Sequence, residues 1–218
     1  MHVLVIGANG GIGRILVDRL VASGHEVRAM IRSASQADAL AAAGAEPVVI
    51  DLEGPEDELE RAVDGVDAVV FSAGSGASTG PDKTLLVDLY GALRTIDVCE
   101  RSGVSRYVMV SAMATDDISR GPEAIRHYLA AKAAADRLLM ASELDWTVVR
   151  PGGLTDEAAT GRVALGAPRL EERGHIPRAD VADVLAACLE EPRTIGTVFE
   201  VVSGDVPIRD LGDHVAAR

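Results

Sequence analysis

A tyrosine stands four residues before a lysine in the stretch "HYLAAK", residues 127–132. On a helix, Tyr128 and Lys132 would lie one turn apart and share a face. An ammonium group beside a phenol stabilises the tyrosinate form, so we expect the pKa of Tyr128 to be lowered toward the working pH. Lysine occupies only 2 of the 218 positions, which makes a chance pairing rare. The pair predicts acid–base chemistry, with a surface tyrosine beside a solvated lysine as the alternative.

A glycine-rich loop, "GANGGIG" at residues 7–13, joins an apolar run to an amphipathic one. We expect six of its residues to bind a dinucleotide cofactor: Gly7, Asn9, Gly10, Gly11, Ile12 and Gly13. Glycines allow a sharp turn and close approach of the backbone to a pyrophosphate, and the following helix offers free N–H groups. The spacing satisfies G-x-x-G-x-x-G and G-x-x-x-G-x-G but not G-x-G-x-x-G. A plain tight turn is the alternative.

The end of the second predicted strand bears on the choice between NAD and NADP. NAD-binding proteins place an acidic residue there for the ribose 2′-hydroxyl, whereas this strand ends in Arg32. A guanidinium group matches the oxygens of a 2′-phosphate. The prediction is therefore NADP in preference to NAD. Because the chain has 19 arginines, a solvated surface charge at Arg32 is the alternative.

Two further strand ends are expected to contact the cofactor. Asp51 closes the third strand, where its carboxylate can accept a hydrogen bond from an adenine amino group while Leu52 packs on the ring. A helix-cap or turn role for Asp51 is equally open. After the fourth strand, the small residues Ala73, Gly74 and Ser75 let a cofactor lie across the carboxyl edge of the sheet.

Apolar runs alternate with helical patterns along the whole chain, and these elements must position the residues above. The predicted strands cover residues 2–7, 25–32, 45–52, 66–74, 104–112, 144–152 and 197–204, and the predicted helices cover residues 13–24, 35–44, 55–65, 82–103, 122–142 and 178–190. The strands are nearly continuous in apolar residues, as expected when helices cover both faces of a sheet. The pattern predicts an α/β fold with a doubly wound parallel sheet, a single domain over residues 1–218, and a substrate lid at residues 153–175.

The composition restricts the partners. The net charge is −13, and a chain this acidic repels phosphate backbones and anionic membranes, so neither nucleic acid nor a membrane is expected as a partner. The chain begins with a strand pattern instead of a signal peptide, which makes the cytoplasm the default location. Cys99 and Cys188 have no disulfide or metal-ligand spacing, so no metal site is predicted.

Nine segments together resemble the short-chain dehydrogenase/reductase superfamily, most closely its atypical, NmrA-like NAD(P)H-binding group, often labelled NAD-dependent epimerase/dehydratase. The segments are "GANGGIG" (7–13), "IR" (31–32), "DL" (51–52), "FSAGSG" (71–76), "DKTLLVDLYGA" (82–92), "GVSRYVMVSA" (103–112), "HYLAAK" (127–132), "VVRPGGL" (148–154) and "IPRADVA" (176–182). The resemblance implies a Rossmann fold and a nicotinamide cofactor. It is much less specific for the reaction.

The resemblance also implies roles for individual residues. Tyr128 would exchange a proton with a substrate carbonyl oxygen as hydride moves to or from the nicotinamide, while Lys132 would tune Tyr128 and bind the nicotinamide ribose. Ser111 would polarise the same oxygen. Many relatives have a second serine where this chain has Ala112, and Thr115 is a candidate substitute donor.

Residues near the sixth strand and the last predicted helix complete the expected site. The resemblance places Pro151 and Gly152 beside the nicotinamide carboxamide, with a turn leaving the strand as the alternative. His175, Arg178 and Asp180 are expected to flank the substrate mouth, although Asp180 at a helix start also suits the helix dipole.

The expected function is an NADP-dependent oxidoreductase that transfers hydride between nicotinamide and a small carbonyl or quinone-like substrate, as a monomer or homodimer. One alternative is an NAD-dependent epimerase or dehydratase acting on a sugar derivative, although the region after the sixth strand is short for a lobe that grips a nucleotide sugar. Another is a non-catalytic, NADP-sensing regulatory protein, which Ala112 favours. A flavin-reductase type on the same fold lacks the tyrosine and would leave Tyr128 without a role.

Overall fold

In the computed structural model, which describes residues 1–76 and 79–215, a nine-stranded sheet runs through the middle of the molecule. Its strands are β1 (His2–Ile6), β2 (Glu26–Ile31), β3 (Glu46–Val49), β4 (Ala68–Phe71), β5 (Arg106–Val110), β6 (Asp145–Pro151), β8 (Arg162–Gly166), β10 (Thr197–Ser203) and β11 (Val206–Pro207). Two more strands, β7 (Gly153–Thr155) and β9 (His175–Pro177), form a small parallel sheet. The main sheet has the order β11-β8-β10-β6-β5-β4-β1-β2-β3.

The seven strands from β3 to β10 in this order are parallel, and β8 pairs antiparallel with β10 and β11. The predicted doubly wound parallel sheet is therefore confirmed. The expected lid, residues 153–175, contains β7 and β8 and the first residue of β9. Strand β8 extends the main sheet, so part of the lid is anchored to the core.

Helices cover both faces of the sheet. They are α1 (Gly11–Ala22), α2 (Ala37–Ala42), α3 (Glu56–Val63), α4 (Pro81–Lys83), α5 (Ala92–Ser102), α6 (Arg126–Ala141), α7 (Arg178–Glu190) and α8 (Gly212–Val215), with a π-helical segment, Thr84–Gly91, between α4 and α5. Helices α1 and α7 pack on one face, and α3, α5 and α6 pack on the other. Among the helices of the described residues, none is long and apolar enough to cross a membrane.

The strands are apolar throughout because successive side chains enter two different cores. Val3 and Val5 of β1 point into the core beneath α1 and α7, whereas Leu4 and Ile6 point into the core beneath α3 and α5. This alternation is the normal geometry of a strand, and a sheet covered on both sides needs an apolar residue at each position.

One predicted helix differs in its form. Residues 82–103 are helical as expected, but Thr84–Gly91 has the wider turn of a π-helix. Apolar periodicity does not distinguish this turn from an α-helical one. Segments of π-helix are rare and are often found at functional sites. This one carries Asp88, whose side chain is fully buried.

The strand order reverses between β1 and β4. From β1 the chain proceeds to β2 and β3 on one side, and from β4 to β5 and β6 on the other. At such a point the loops that follow the two central strands diverge and leave a crevice at the carboxyl edge of the sheet, where open α/β sheets bind ligands. The loops after β1 and β4 are the glycine loop (residues 7–13) and the segment Ala73–Ser75.

Candidate active site

The glycine loop and the end of β4 are in direct backbone contact. Gly7 has a φ of +83°, and a Cβ atom there would lie 2.7 Å from the Cα of Ala73. A Cβ atom on Gly13 would overlap the carbonyl oxygen of Gly7. Both positions therefore require glycine, for a left-handed backbone at residue 7 and for close packing of α1 on the loop at residue 13.

The first turn of α1 is open to solvent and fits a phosphate group. Gly10 and Gly11 are exposed, and no acidic side chain lies in this turn. The free N–H groups at the helix start are therefore available to an anion. Ile12 is buried and can offer only its backbone, while the Asn9 side chain accepts a hydrogen bond from Arg14 Nε at 2.7 Å.

Asp88 accepts a hydrogen bond from the segment that follows β4. The Ser75 N–H donates to Asp88 Oδ2 at 2.9 Å, and the Ser75 hydroxyl lies 3.2 Å from that of Thr84. Gly74 is exposed, and a Cβ atom there would lie 3.1 Å from Asp88 Oδ1. Ala73 lies against Gly7 of the glycine loop, and the cofactor contact expected of Ala73, Gly74 and Ser75 stays a prediction.

Lys132 contacts both Ala73 and Asp88. It is 3% exposed, and its Nζ lies 3.1 Å from Asp88 Oδ1, 3.2 Å from the carbonyl oxygen of Val110 and 3.4 Å from that of Ala73. The ammonium group thus ties the ends of β4 and β5 to the π-helical segment. Burial opposes its charge, but Tyr128 and Asp88 outweigh burial and raise the pKa of Lys132 above its ordinary value. The predicted contact with a ribose would require an exchange of one of these partners.

Tyr128 is half-buried near the start of α6, with the Lys132 Nζ 5.9 Å from its ring centroid. Its hydroxyl makes no hydrogen bond to the described residues. Burial raises the pKa of Tyr128, and the carboxylates of Asp88 and Asp136 add to this rise, so the opposing effect of Lys132 is outweighed. The expectation of a lowered pKa is therefore wrong for the free protein, because burial and two carboxylates, Asp88 of the π-helical segment and Asp136 of α6 itself, outweigh the lysine. The phenol of Tyr128 is therefore protonated at neutral pH.

Ser111 follows β5 and is buried. Its N–H donates to the carbonyl oxygen of Val149 at 2.8 Å, and its hydroxyl has no hydrogen-bond partner among the described residues. Thr115, the substitute donor, is occupied: its hydroxyl lies 2.9 Å from Asp136 Oδ2 and 3.0 Å from the carbonyl oxygen of Ala112. Of the two hydroxyl groups, that of Thr115 is hydrogen-bonded, whereas that of Ser111 is buried without a partner among the described residues.

The loop after Ser111 is joined to the lid by a buried carboxylate. Ala114 has a φ of +71°, a left-handed conformation that is costly for a residue other than glycine. Glu200 is fully buried and accepts hydrogen bonds from the N–H of Ala114 at 3.0 Å and of Leu170 at 2.9 Å. The sequence predicts neither the strain nor this acceptor, and the sequence signal for Glu200 is a single acidic residue within the strand "TVFEVVSG".

The two predicted adenine contacts differ in their surroundings. Asp51 is exposed, and its Oδ1 accepts a hydrogen bond from the N–H of Glu53 at 3.0 Å, which is the turn role left open above. Leu52 is buried against Gly91, so little of its side chain remains for an adenine ring. Arg32 is exposed at the end of β2, and no ion pair within the described residues includes it.

Pro151 and Gly152 lie at the end of β6. The carbonyl oxygen of Pro151 accepts a hydrogen bond from the N–H of Met113 at 3.0 Å, and the Gly152 N–H donates to Val201 at 2.9 Å. A Cβ atom on Gly152 would overlap the carbonyl oxygen of Gly174 in the lid. The glycine is therefore needed for packing, whether or not it also passes a nicotinamide.

The three residues expected at the substrate mouth separate in the structure. Asp180 is fully buried and accepts hydrogen bonds from the backbone of Thr160 at 3.0 Å and Gly161 at 2.8 Å, so it holds the lid instead of facing a substrate. His175 is exposed. Arg178 lies over the glycine loop and donates to Asp156 Oδ1 at 2.6 Å.

Two other features bear on ligand binding. Within the described residues, no group of three or more His, Cys, Asp or Glu side chains is placed to hold a metal ion. A cavity of about 470 Å³ lies near the opposite, amino-terminal edge of the sheet, where Leu20, His25 and Ala187 are among its lining residues. No predicted site residue lines this cavity, so the candidate active site is not located there.

Comparison with known proteins identifies the family of the chain. Residues 7–192 match the protein family described as NAD(P)H-binding. A Bacillus subtilis (strain 168) protein named uncharacterized sugar epimerase YhfK is 46% identical over 211 residues, which cover 96% of this chain and 98% of that protein. A UPF0659 protein of Saccharomyces cerevisiae is 33% identical over 219 residues, covering 95% of this chain and 96% of that protein.

Solved structures give the same result. A Bacillus halodurans protein, provisionally described as an NAD-dependent epimerase/dehydratase, superposes with a TM-score of 0.93 at 45% identity, covering 98% of this chain and 99% of that one. ChuY, an anaerobilin reductase from Escherichia coli O157:H7, has a TM-score of 0.82 at 27% identity, covering 94% and 98%. The predicted nicotinamide cofactor and NmrA-like resemblance are thereby confirmed, and the chain belongs to the NAD(P)H-binding family, in its epimerase/dehydratase-like group.

Proposed function

We propose that the chain is an NADP-dependent oxidoreductase that transfers hydride between nicotinamide and a small carbonyl or quinone-like substrate. One observation carries the proposal. The Tyr128 hydroxyl makes no hydrogen bond to the described residues, and its ring stands 5.9 Å from the buried ammonium of Lys132 near the carboxyl ends of β4 and β5. A fixed ammonium beside a phenol that makes no such bond supports proton transfer at this position.

When bound, the cofactor supplies the hydride. The chain supplies the proton: Tyr128, neutral because burial raises its pKa, donates to the substrate oxygen as negative charge develops there. Lys132 is a fixed positive charge that stabilises the tyrosinate left behind, since Asp88 and two carbonyl groups hold its ammonium in place. The unpartnered Ser111 hydroxyl donates a second hydrogen bond to the same oxygen.

The proposal assigns the cofactor's 2′-phosphate to Arg32. This guanidinium is exposed and not engaged in an ion pair within the described residues, so it can bind an anion without breaking an existing contact. It lies directly after β2, where an acidic residue would favour NAD. We further propose a small-molecule substrate, a single domain over residues 1–218, a substrate lid at residues 153–175 and a location in the cytoplasm.

The names of two relatives favour a second candidate, an NAD-dependent epimerase or dehydratase acting on a sugar derivative. The name of ChuY favours a reductase. The two candidates differ in how they use the cofactor. An epimerase returns the hydride to the same substrate and usually keeps its NAD bound, whereas a reductase consumes NADPH in proportion to product.

The proposal is tested by following NADPH oxidation with aldehydes, ketones, quinones and flavins, using the wild type and Tyr128→Phe. The matched control is Tyr90→Phe, which removes an exposed hydroxyl from the π-helical segment. We expect Tyr128→Phe to lower kcat by about 10²- to 10⁴-fold while NADPH binding and the control remain as in the wild type. Equal activity in all three proteins would exclude Tyr128 as the proton donor.

Two further outcomes would favour the alternatives. NAD released from the purified protein on denaturation, together with no net oxidation of NADPH, would favour the epimerase. Tight NADPH binding without turnover of any substrate in the panel would favour the NADP-sensing protein.

A further inference from the structure

Arg178 occupies a position over the glycine loop that the resemblance did not predict. It is the first residue of α7, and its side chain crosses to α1. A Cβ atom on Gly11 would lie 2.8 Å from Arg178 Cδ and 3.0 Å from its Nε. The absence of a side chain at residue 11 therefore makes room for this arginine as well as for a ligand.

The positive charge of Arg178 lies where the dipoles of two helices repel it. The guanidinium lies beside the N-terminus of α1, and the residue itself begins α7, so it meets the positive ends of two helix dipoles. Its carboxylate partner is Asp156, whose side chain is 90% exposed in the lid. The Asp156 carboxylate compensates this charge in the free protein, and a phosphate at the exposed first turn of α1 would place a second anion beside the same guanidinium.

We propose that Arg178 binds the pyrophosphate of the cofactor from the side opposite the glycine loop, and that its bond to Asp156 links cofactor binding to the lid. This inference rests on the proposed function, in which the dinucleotide lies in the crevice after β1. A guanidinium can do both because its donors are divided: Nη1 binds Asp156 Oδ1, and the remaining N–H groups are available to phosphate oxygens.

The test separates the pyrophosphate from the 2′-phosphate by comparing two ligands, NADPH and adenosine 2′-monophosphate, which lacks the pyrophosphate. Dissociation constants are measured by calorimetry for the wild type, Arg178→Ala, Arg178→Lys, Arg32→Ala and the control Arg19→Ala. Arg19 is matched because it also joins α1 to α7, through Asp183 at 2.7 Å, but it lies in the last turn of α1.

We expect Arg178→Ala to weaken NADPH binding about 10- to 100-fold. Its dissociation constant for adenosine 2′-monophosphate should stay within about twofold of the wild-type value. Arg178→Lys keeps the charge but loses the forked pair of N–H donors, so its NADPH affinity should lie between those of the wild type and Arg178→Ala. Arg32→Ala should weaken the binding of both ligands, whereas Arg19→Ala should change the binding of neither. The melting temperature of Arg178→Ala should stay constant or rise, because a cation is removed from two helix N-termini.

Several results would overturn the inference. Unchanged NADPH affinity in Arg178→Ala would refute it while leaving the proposed function intact. Equal weakening of both ligands, with a lower melting temperature, would show a structural role for Arg178. If the wild type prefers NADH, the assignment of NADP is wrong. The effect of Arg178→Ala is then measured with NADH and with adenosine, and an unchanged NADH affinity would refute the inference. If the wild type binds neither dinucleotide, the inference and the proposed function fail together.

The link to the lid has its own readout. Hydrogen exchange of residues 153–160 is measured with and without saturating NADPH. We expect NADPH to slow exchange there in the wild type but not in Arg178→Ala, and Asp156→Asn to lose this protection while keeping its NADPH affinity within about threefold. Equal protection in all three proteins would show that the lid responds to the cofactor without Arg178.

Discussion

The buried ion pair between Lys132 and Asp88 makes a sharp prediction about stability. Lys132→Met removes the ammonium and leaves a fully buried carboxylate with no charge partner. Breaking a buried pair in this way costs about 3–5 kcal/mol. In a chain of this length each kcal/mol lowers the melting temperature by about 2–4 °C, so the expected fall is roughly 6–20 °C.

The partner substitution separates the charge from the hydrogen bond. Asp88→Asn keeps an acceptor for the Ser75 N–H but removes the negative charge, so the ammonium of Lys132 retains only its two carbonyl partners. The double variant contains no uncompensated buried charge. Its cost should therefore be smaller than the sum of the single costs by about 1–3 kcal/mol.

The assay is urea unfolding for the free energy and thermal unfolding for the melting temperature, both followed by circular dichroism, for the wild type, the two single variants and the double variant. Lys83→Met is the matched control, because Lys83 is the other lysine and forms an exposed ion pair with Glu53 at 2.6 Å. Its melting temperature should stay close to that of the wild type. Single-variant costs below about 1 kcal/mol, or costs that simply add, would refute the view that this pair stabilises the site.

Further predictions follow from other buried or crowded groups. Burial raises the pKa of Tyr128, so its phenol stays protonated through neutral pH, and the reduction rate should fall only above the ordinary value of about 10; a fall below about pH 8 in initial rates would contradict this. Burial raises the pKa of Cys99 and Cys188 to about 12, so neither thiol should react with Ellman's reagent faster than the protein unfolds, and rapid labelling of the native protein would contradict it. Gly13→Ala forces an overlap with the carbonyl oxygen of the loop, so NADPH affinity in a fluorescence titration should fall more than about tenfold. Arg32→Asp should reverse the preference between NADPH and NADH in kcat/KM, and an unchanged ratio would exclude Arg32 as the 2′-phosphate ligand.

The sheet could be predicted from the sequence because its signal is local. Residues such as Val3 and Leu4 are both apolar although they point in opposite directions, and this pattern requires cover on both faces. The glycine loop is partly local: the left-handed backbone at Gly7 and the packing of Gly13 on Gly7 arise within the loop, whereas the contact of Gly7 with Ala73 depends on the sheet.

The electrostatics of the site could not be predicted in the same way. A helical spacing of four residues places Lys132 near Tyr128, but it does not reveal Asp88, which comes from a π-helical segment more than 40 residues away in the chain. The direction of the Tyr128 pKa shift depends on burial, on this distant carboxylate and on Asp136, which lies further along α6 itself. The only sequence signal for Asp88 is one acidic residue within the apolar run "TLLVDLYGA".

The same reasoning applies to residues that hold the lid. Asp180 has the position of a residue that complements a helix dipole, yet its carboxylate binds the backbone of Thr160 and Gly161 in the lid. Arg178 contacts a loop more than 160 residues earlier in the chain. Contacts of this kind depend on the three-dimensional arrangement of α1, α7 and the lid, which residue spacing does not encode.

The most direct test of tyrosine-dependent hydride transfer is isotopic. NADPH deuterated at the transferable position is mixed with the best aldehyde or ketone substrate from the panel, whose product keeps the deuterium on carbon, and the deuterium content of the product is measured by mass spectrometry over time for the wild type and Tyr128→Phe. The mechanism predicts deuterated product from the wild type and a rate about 10²- to 10⁴-fold lower from the variant, at equal NADPH occupancy. Deuterated product formed by Tyr128→Phe at the wild-type rate would contradict the role of Tyr128.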